Sequence, residues 1–337
     1  MKSSATLELF RSKSFLLIAA LIFVIASCAR SNEELKAYST DSLDISAPLI
    51  PENNLSDYST YKGIPVARIK DRFATDSNEV YIDLNIQILD QNPDITDHLL
   101  SFAIRNLSGN GFMSTPDSLI SSKFNLPDYR SDSTQEILNK FSGFVSKEFY
   151  AKLPEILGYG PGYNMSIIIY PVFLKDDYVT YYKYAYYYTG GAHGNDTKSL
   201  QTFNIKTGKA LDEEDIILSD KYDRFREAVV NHMAASYPIY EGIKTAKEYL
   251  DSLNNWRGST LPHVPGEEIT PDSKERITVK NFPIQAIGIN DAGIVLSYEK
   301  YFLTPGVNGC PVIVIPYDEI RDCLKPPFNS FASEKHS

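Results

Sequence analysis

Histidine is the side chain best suited to metal ligation and to proton transfer near neutral pH, and this chain has five: His98, His193, His232, His263 and His336. No two stand at the H-x3-5-H or H-E-x-x-H spacing that places both imidazoles on one metal ion. A serine nucleophile elbow, a phosphate-binding P-loop and a G-x-G-x-x-G turn are also missing. Glycan hydrolysis needs two carboxylates, and Asp212-Glu213-Glu214-Asp215 and Glu267-Glu268 supply acids in runs. Runs of this kind are ordinarily solvated loop faces, and the first suits the positive end of a helix dipole. No catalytic residue, metal or cofactor is expected.

Two features point to binding instead. Gly190-Gly191-Ala192-His193-Gly194-Asn195 packs three glycines into five residues, which frees the backbone for positive φ and lets another group approach closely. His193 and Asn195 would stand at its lip. Immediately before it, Tyr178 to Thr189 reads YVTYYKYAYYYT. In a strand Tyr182, Tyr184, Tyr186 and Tyr188 share one face, and Tyr181, Lys183, Ala185 and Tyr187 the other. One face suits a core. The other is either covered or an aromatic surface able to stack on sugar rings or anchor a protein. The expected ligand-contacting set is therefore Tyr182, Tyr184, Tyr186, Tyr188, Gly190, Gly191, His193 and Asn195. Cys310 and Cys323 could form a disulfide in an oxidising compartment or stay as two buried thiols.

The elements that would carry these residues follow from periodicity. Val80, Ile82, Leu84, Ile86 and Ile88 alternate with more polar neighbours, predicting a half-buried strand. Helical patterns follow near 95–107 and from Ile137 to Phe149, the second capped by Ser131, Asp132 or Ser133 and ended by Pro154. Residues 163–174 and 178–189 form a hairpin about Lys175-Asp176-Asp177, and a strand at 199–205 leads to the turn Lys206-Thr207-Gly208. Helices near 220–235 and 242–254 precede strands at 284–289, 294–301 and 312–315, with Asn290-Asp291-Ala292-Gly293 as a hairpin turn. The pattern implies an α+β fold: antiparallel sheets with helices packed on one face, in two consecutive α/β subdomains, 61–189 and 190–325. Residues 28–60 read as a flexible tether and 326–337 as a disordered tail.

The N-terminus sets location. Arg11 and Lys13 precede the apolar run Phe15 to Ile25, too short for a bilayer span of ~20 residues but of signal-peptide length. Ile25-Ala26-Ser27-Cys28 resembles a lipobox, so cleavage before Cys28 and acylation of that cysteine are expected, fixing the protein to an envelope membrane. Loss of residues 1–27 removes Lys2, Arg11, Lys13 and Glu8, so the formal charge moves from −10 to −12. That balance disfavours nucleic acid and favours a cationic partner.

The run Tyr188-Thr189-Gly190-Gly191-Ala192-His193-Gly194-Asn195, then Phe203-Asn204, Lys206-Thr207-Gly208-Lys209 and Asp215-Ile216-Ile217, resembles the extracytoplasmic C-terminal domain family shared by a lysozyme-sensing anti-sigma factor, RsiV, and a peptidoglycan deacetylase, PdaC. Gly293 to Tyr298 and Val314 to Ile320 continue the likeness; Ile205 departs from it, an aspartate being usual there. Residues 80–188 resemble the domain that precedes it in that family. The resemblance implies a binding role, lysozyme being the ligand in the anti-sigma factor. It does not imply deacetylation, because the zinc-binding elements of that catalytic domain have no counterpart. A stand-alone chain of this type is similar to Bacteroidetes lipoproteins, which implies an outer-membrane location. The function expected is non-catalytic binding of a glycan or peptidoglycan fragment, or of a cationic, lysozyme-like protein. The alternatives are a deacetylase-like glycan-modifying enzyme with a dispersed site and a structural assembly lipoprotein.

Overall fold

The computed structural model describes residues 60–77, 79–108, 124, 126–129, 131–158, 162–189, 194–243, 245–260, 276–305 and 309–331. Cys28, Gly190, Gly191, His193, His263 and His336 lie outside them, as does the expected signal segment. No helix among the described residues is long and apolar enough to cross a membrane.

The first sheet has six strands in chain order: β1 Thr60–Tyr61, β2 Ile64–Ala74, β3 Val80–Leu89, β4 Tyr163–Lys175, β5 Tyr178–Thr189 and β6 Asn195–Asn204. All neighbours are antiparallel except β3 and β4, which run parallel. A parallel pair needs a long crossover, and the chain makes it through α1 (Pro93–Leu107) and α2 (Thr134–Gly158). The alternation in β3 does what its period requires: Val80, Ile82, Leu84, Ile86 and Ile88 are buried in one core with Leu99 and Phe102 of α1 and Phe141, Val145 and Phe149 of α2. These helices therefore cover one face of the sheet. Ser133 is the cap that α2 uses: its Oγ accepts from the Glu136 N–H, and Glu136 Oε2 accepts from the Ser133 N–H. The helix runs on through Pro154 to Gly158 instead of stopping there.

The second sheet is β7 Ala286–Ile289, β8 Gly293–Ser297 and β9 Val312–Pro316, all antiparallel. Its core is shared with α4 (Tyr222–Ser236) and α5 (Ala246–Thr260). It also holds residues from the one-turn helices α3 (Glu213–Ile216), α6 (Tyr317–Ile320) and α7 (Phe328–Phe331). Asn290 Oδ1 accepts from the Ala292 and Gly293 N–H groups, closing the β7–β8 turn. A side chain at Gly293 would collide with the Ile315 carbonyl. The fold is thus α+β, as expected.

Besides the parallel β3–β4 pair and the helix that passes Pro154, three details differ from the sequence reading. Strand β2 is absent from the expected elements, although its Ala67 and Ile69 are buried. Strand β6 pairs with β5 from Tyr187↔Asn195 to Tyr178↔Asn204, so the first sheet continues past residue 189 into the stretch assigned to the second subdomain. Phe328 and Phe331, expected in a tail, are 2 % and 6 % exposed in the second core; two apolar rings in reach of Tyr178 bury more surface there than chain entropy opposes. Of the two states the sequence left open for Cys310 and Cys323, disulfide or two buried thiols, the structure has the second. Both are buried free thiols, Cys310 Sγ donating to the Asp196 carbonyl at 3.3 Å while Cys323 lies in the second core.

Candidate ligand-binding face on β4–β6

Cross-strand partners share a face, so the register assigns this surface residue by residue. Tyr182, Tyr184, Tyr186 and Tyr188 of β5 stand opposite Tyr170, Ile168, Ser166 and Asn164 of β4. On the other side Leu200, Lys198 and Asp196 of β6 oppose Tyr182, Tyr184 and Tyr186. This is the face turned away from α1 and α2, whose core takes Tyr181, Ala185 and Val179 instead.

The second sheet rests on only one end of the surface. Thr180 Oγ1 donates to the Ile289 carbonyl at 2.7 Å and accepts from the Ile289 N–H at 3.2 Å, and it is 2.8 Å from Thr202 Oγ1. Ser297 Oγ accepts from the Leu200 N–H at 3.1 Å. Beyond Leu200 the cover thins along the strand: Tyr182 is 9 % exposed, while Tyr184, Tyr186 and Tyr188 are half-buried. The sequence left open whether this face was covered, and the structure divides it, closed at Tyr182 and part-open from Tyr184 onward.

The rings form a continuous row. Tyr170 and Tyr182 have centroids 5.2 Å apart at 43°, and Tyr182 and Tyr184 lie 6.4 Å apart and nearly parallel at 7°. Lys198 Nζ sits 6.0 Å from the Tyr184 centroid. The charge beside the row is balanced: Asp196 lies 3.9 Å from Lys198 Nζ and 3.8 Å from Lys300 Nζ. Burial above all pushes the Tyr170 and Tyr184 phenols up to about 12, with Asp196 adding to the effect at Tyr184, so they are neutral hydrogen-bonding groups at physiological pH. Tyr182 is raised further, again by burial first and then by Tyr170, Tyr184, Asp196 and Cys310.

Among the described residues, Tyr170 Oη and Asn195 Oδ1 are buried here with no hydrogen-bond partner. Asn195 is fixed by its amide, which donates to Tyr187 Oη at 2.7 Å; that directs it to the Tyr187 side of β5 instead of the Tyr182–Tyr188 row. Gly194 lies against the Tyr186 ring tip, so a Cβ there would displace the Tyr186 hydroxyl end. Tyr170 was missed in the sequence, where the apolar run IIIYPVFL hides which strand face it takes; its pairing with Tyr182 becomes visible only with the register.

The other sequence candidates fall elsewhere. His98 is on α1, its ring edge-on to Phe203 at 5.0 Å, and burial, then Lys183 and Arg105, lower its pKa to about 4. His232 on α4 pairs with Glu319 at 2.8 Å. Asp212 and Asp215 form a reciprocal cap on α3, and Glu213 pairs with Arg226, so this acid run is structural. Among the described residues no group of three His, Cys, Asp or Glu side chains is placed to hold a metal ion.

No family model and no curated sequence matches the chain. Its structural neighbours are proteins of the DUF3298 family. A member from Bacteroides fragilis aligns with a TM-score of 0.51 at 17 % identity, over 81 % of this chain and 98 % of that one. A second, from Pseudomonas aeruginosa, aligns with a TM-score of 0.44 at 16 % identity, over 78 % and 95 %. The first likeness shows the shared fold; ligand and activity are left to the chemistry of the surface itself.

Proposed function

We propose that the protein is a non-catalytic binding module of the cell envelope, held by acyl chains on Cys28, that takes a glycan or peptidoglycan fragment on the Tyr170–Tyr188 face. The carrying observation is the tyrosine row itself, which emerges from its covered end at Tyr170 and Tyr182 to half-buried rings at Tyr184, Tyr186 and Tyr188. Aromatic faces stack on the C–H faces of sugar rings, and the phenol groups of the part-open tyrosines supply the directional hydrogen bonds that such stacking lacks. Asp196 and the Lys198 ammonium add the polar groups that sugar hydroxyls and N-acetyl carbonyls bond. The RsiV/PdaC-type resemblance, with its peptidoglycan-facing relatives, supports the same reading.

The overall charge of −10 favours a second occupant, a cationic protein such as lysozyme. The local surface favours it less, because Lys198 and Lys300 neutralise Asp196.

Calorimetry with N-acetylglucosamine oligomers, muropeptides and lysozyme tests the proposal. Saturable binding of a glycan, weakened at least about tenfold by Tyr184→Ala, is the expected result. Silence with both glycans at millimolar concentration sinks the glycan reading, and lysozyme binding alone replaces it with the cationic partner.

A further inference from the structure

Strand β5 carries a second polar feature on its opposite face. Lys183 is 6 % exposed, its ammonium 5.3 Å from the Phe102 ring centroid of α1. Among the described residues it has no carboxylate within ion-pair distance and no hydrogen-bond acceptor. A buried ammonium in that position is costly, and such lysines are ordinarily paired or replaced. Here the nearest charge is of the same sign: Arg105 repels it, and desolvation above all, then Arg105, bring its pKa down to about 8. Arg105 itself has no acidic partner among the described residues.

The surroundings are those of an oxyanion site. Lys183 pairs across the sheet with Ser199, and Ala185 with Thr197, so both hydroxyls share the face of Lys183. Thr197 Oγ1 donates to Asn106 Oδ1 at 3.5 Å, which brings the last turn of α1 against this edge, while the Asn106 amide donates to the Phe102 carbonyl at 2.8 Å. From β4 the neighbour is Ile169, uncharged. From α1 the titratable neighbours are His98 and Arg105, and the influences on both Lys183 and His98 are cationic throughout. Two cations and the Ser199 hydroxyl share this corner, the Thr197 hydroxyl and the Asn106 amide being already bonded to each other and to the Phe102 carbonyl, in a chain whose net charge is −10.

We propose that Lys183 and Arg105 form a binding site for a small oxyanion, a carboxylate or phosphate group, with the α1 end and the Thr197–Ser199 edge of β6 as its walls. The anion supplies the counter-charge that the fold withholds. Lys183 acts as a point charge and Arg105 as a planar fork. The site is separate from the tyrosine row, because the two lie on opposite faces of β5.

NMR of the full chain, observing the Lys183 ε-methylene and ammonium during titration with acetate or with inorganic phosphate, tests this. A saturable shift with either anion is expected, together with a rise in the Lys183 pKa and weaker binding once the pH passes that pKa. Arg105→Gln should weaken binding at least about tenfold, Lys183→Met should abolish it, and Lys183→Arg should retain it. A response to acetate alone assigns a carboxylate, and to phosphate alone a phosphate. No saturable response to either, or equal affinity in Arg105→Gln and wild type, overturns the site. Arg105 is exposed, so its variant folds even if the Lys183 variants do not.

Discussion

A buried hydroxyl left without a partner costs roughly 1–3 kcal/mol relative to one that is bonded, and Tyr170 carries such a group beside Tyr182. Tyr170→Phe removes the orphan and keeps the ring, so we expect stability in urea to be unchanged or higher by about 1 kcal/mol. A loss of stability instead would mean that the hydroxyl is bonded within the fold. Lys183 makes the converse argument on the other face. Its folded pKa lies near 8 against 10.5 when unfolded, so between those values the unfolded chain binds more protons and stability climbs with pH. The shift corresponds to something on the order of 3 kcal/mol across that window. Lys183→Met should therefore be more stable than wild type at about pH 7, with the advantage shrinking by about pH 10 as wild type sheds the charge. Urea midpoints at the two pH values read this directly, and an advantage independent of pH would show that packing, not charge, is responsible.

The strand and turn elements decide which of these residues meet. Thr180 illustrates how: one hydroxyl bonds both backbone groups of Ile289 and also Thr202, joining the two sheets through buried bonds. Thr180→Val keeps the shape and leaves the Ile289 carbonyl and N–H unpaired, so a loss of about 2–4 kcal/mol is expected in chemical denaturation. A loss under about 1 kcal/mol would show that the sheets are held by apolar packing alone. None of this joining was legible in the sequence, where Thr180 is one more β-branched residue in a strand. Periodicity did expose β3, α1, α2 and α4, because each buries a single stripe against a core, whereas the β4–β5 hairpin, which serves both cores, showed itself as two β-branched and aromatic runs about a short turn. Strand β2 escaped it because Arg68, Lys70 and Arg72 alternate with Ala67, Ile69, Asp71 and Phe73, an inward row broken by an acid. Asp71 is tolerated there because its carboxylate accepts from Ser142 of α2, a contact 71 positions away. The tyrosine face was readable to the level of which rings share a side. Its end point at Tyr170, and the part-open stretch from Tyr184, depended on register and on where the second sheet lands.

At the scale of the whole molecule, two cores could mean two independent folding units, as the division at residue 190 anticipated. The β4–β5 hairpin argues for one. Its register shifts between Pro171 and Phe173, and that shift sends Phe173 into the second core while Leu174, Val179 and Tyr181 stay in the first. Tyr178 of the same hairpin packs on Phe328 and Phe331 near the far end of the chain. A hairpin that serves both cores cannot melt with one and remain folded for the other. Trp256, the only tryptophan, packs against the second core, whereas far-UV circular dichroism draws on α1, α2 and both sheets. Tryptophan fluorescence and circular dichroism should therefore report one coincident urea transition. Phe173→Ala should move both signals together by roughly 3–5 kcal/mol. Two separated transitions, or a Phe173→Ala effect confined to fluorescence, would show that the second sheet unfolds alone and that β5 is no more than a surface on which it rests.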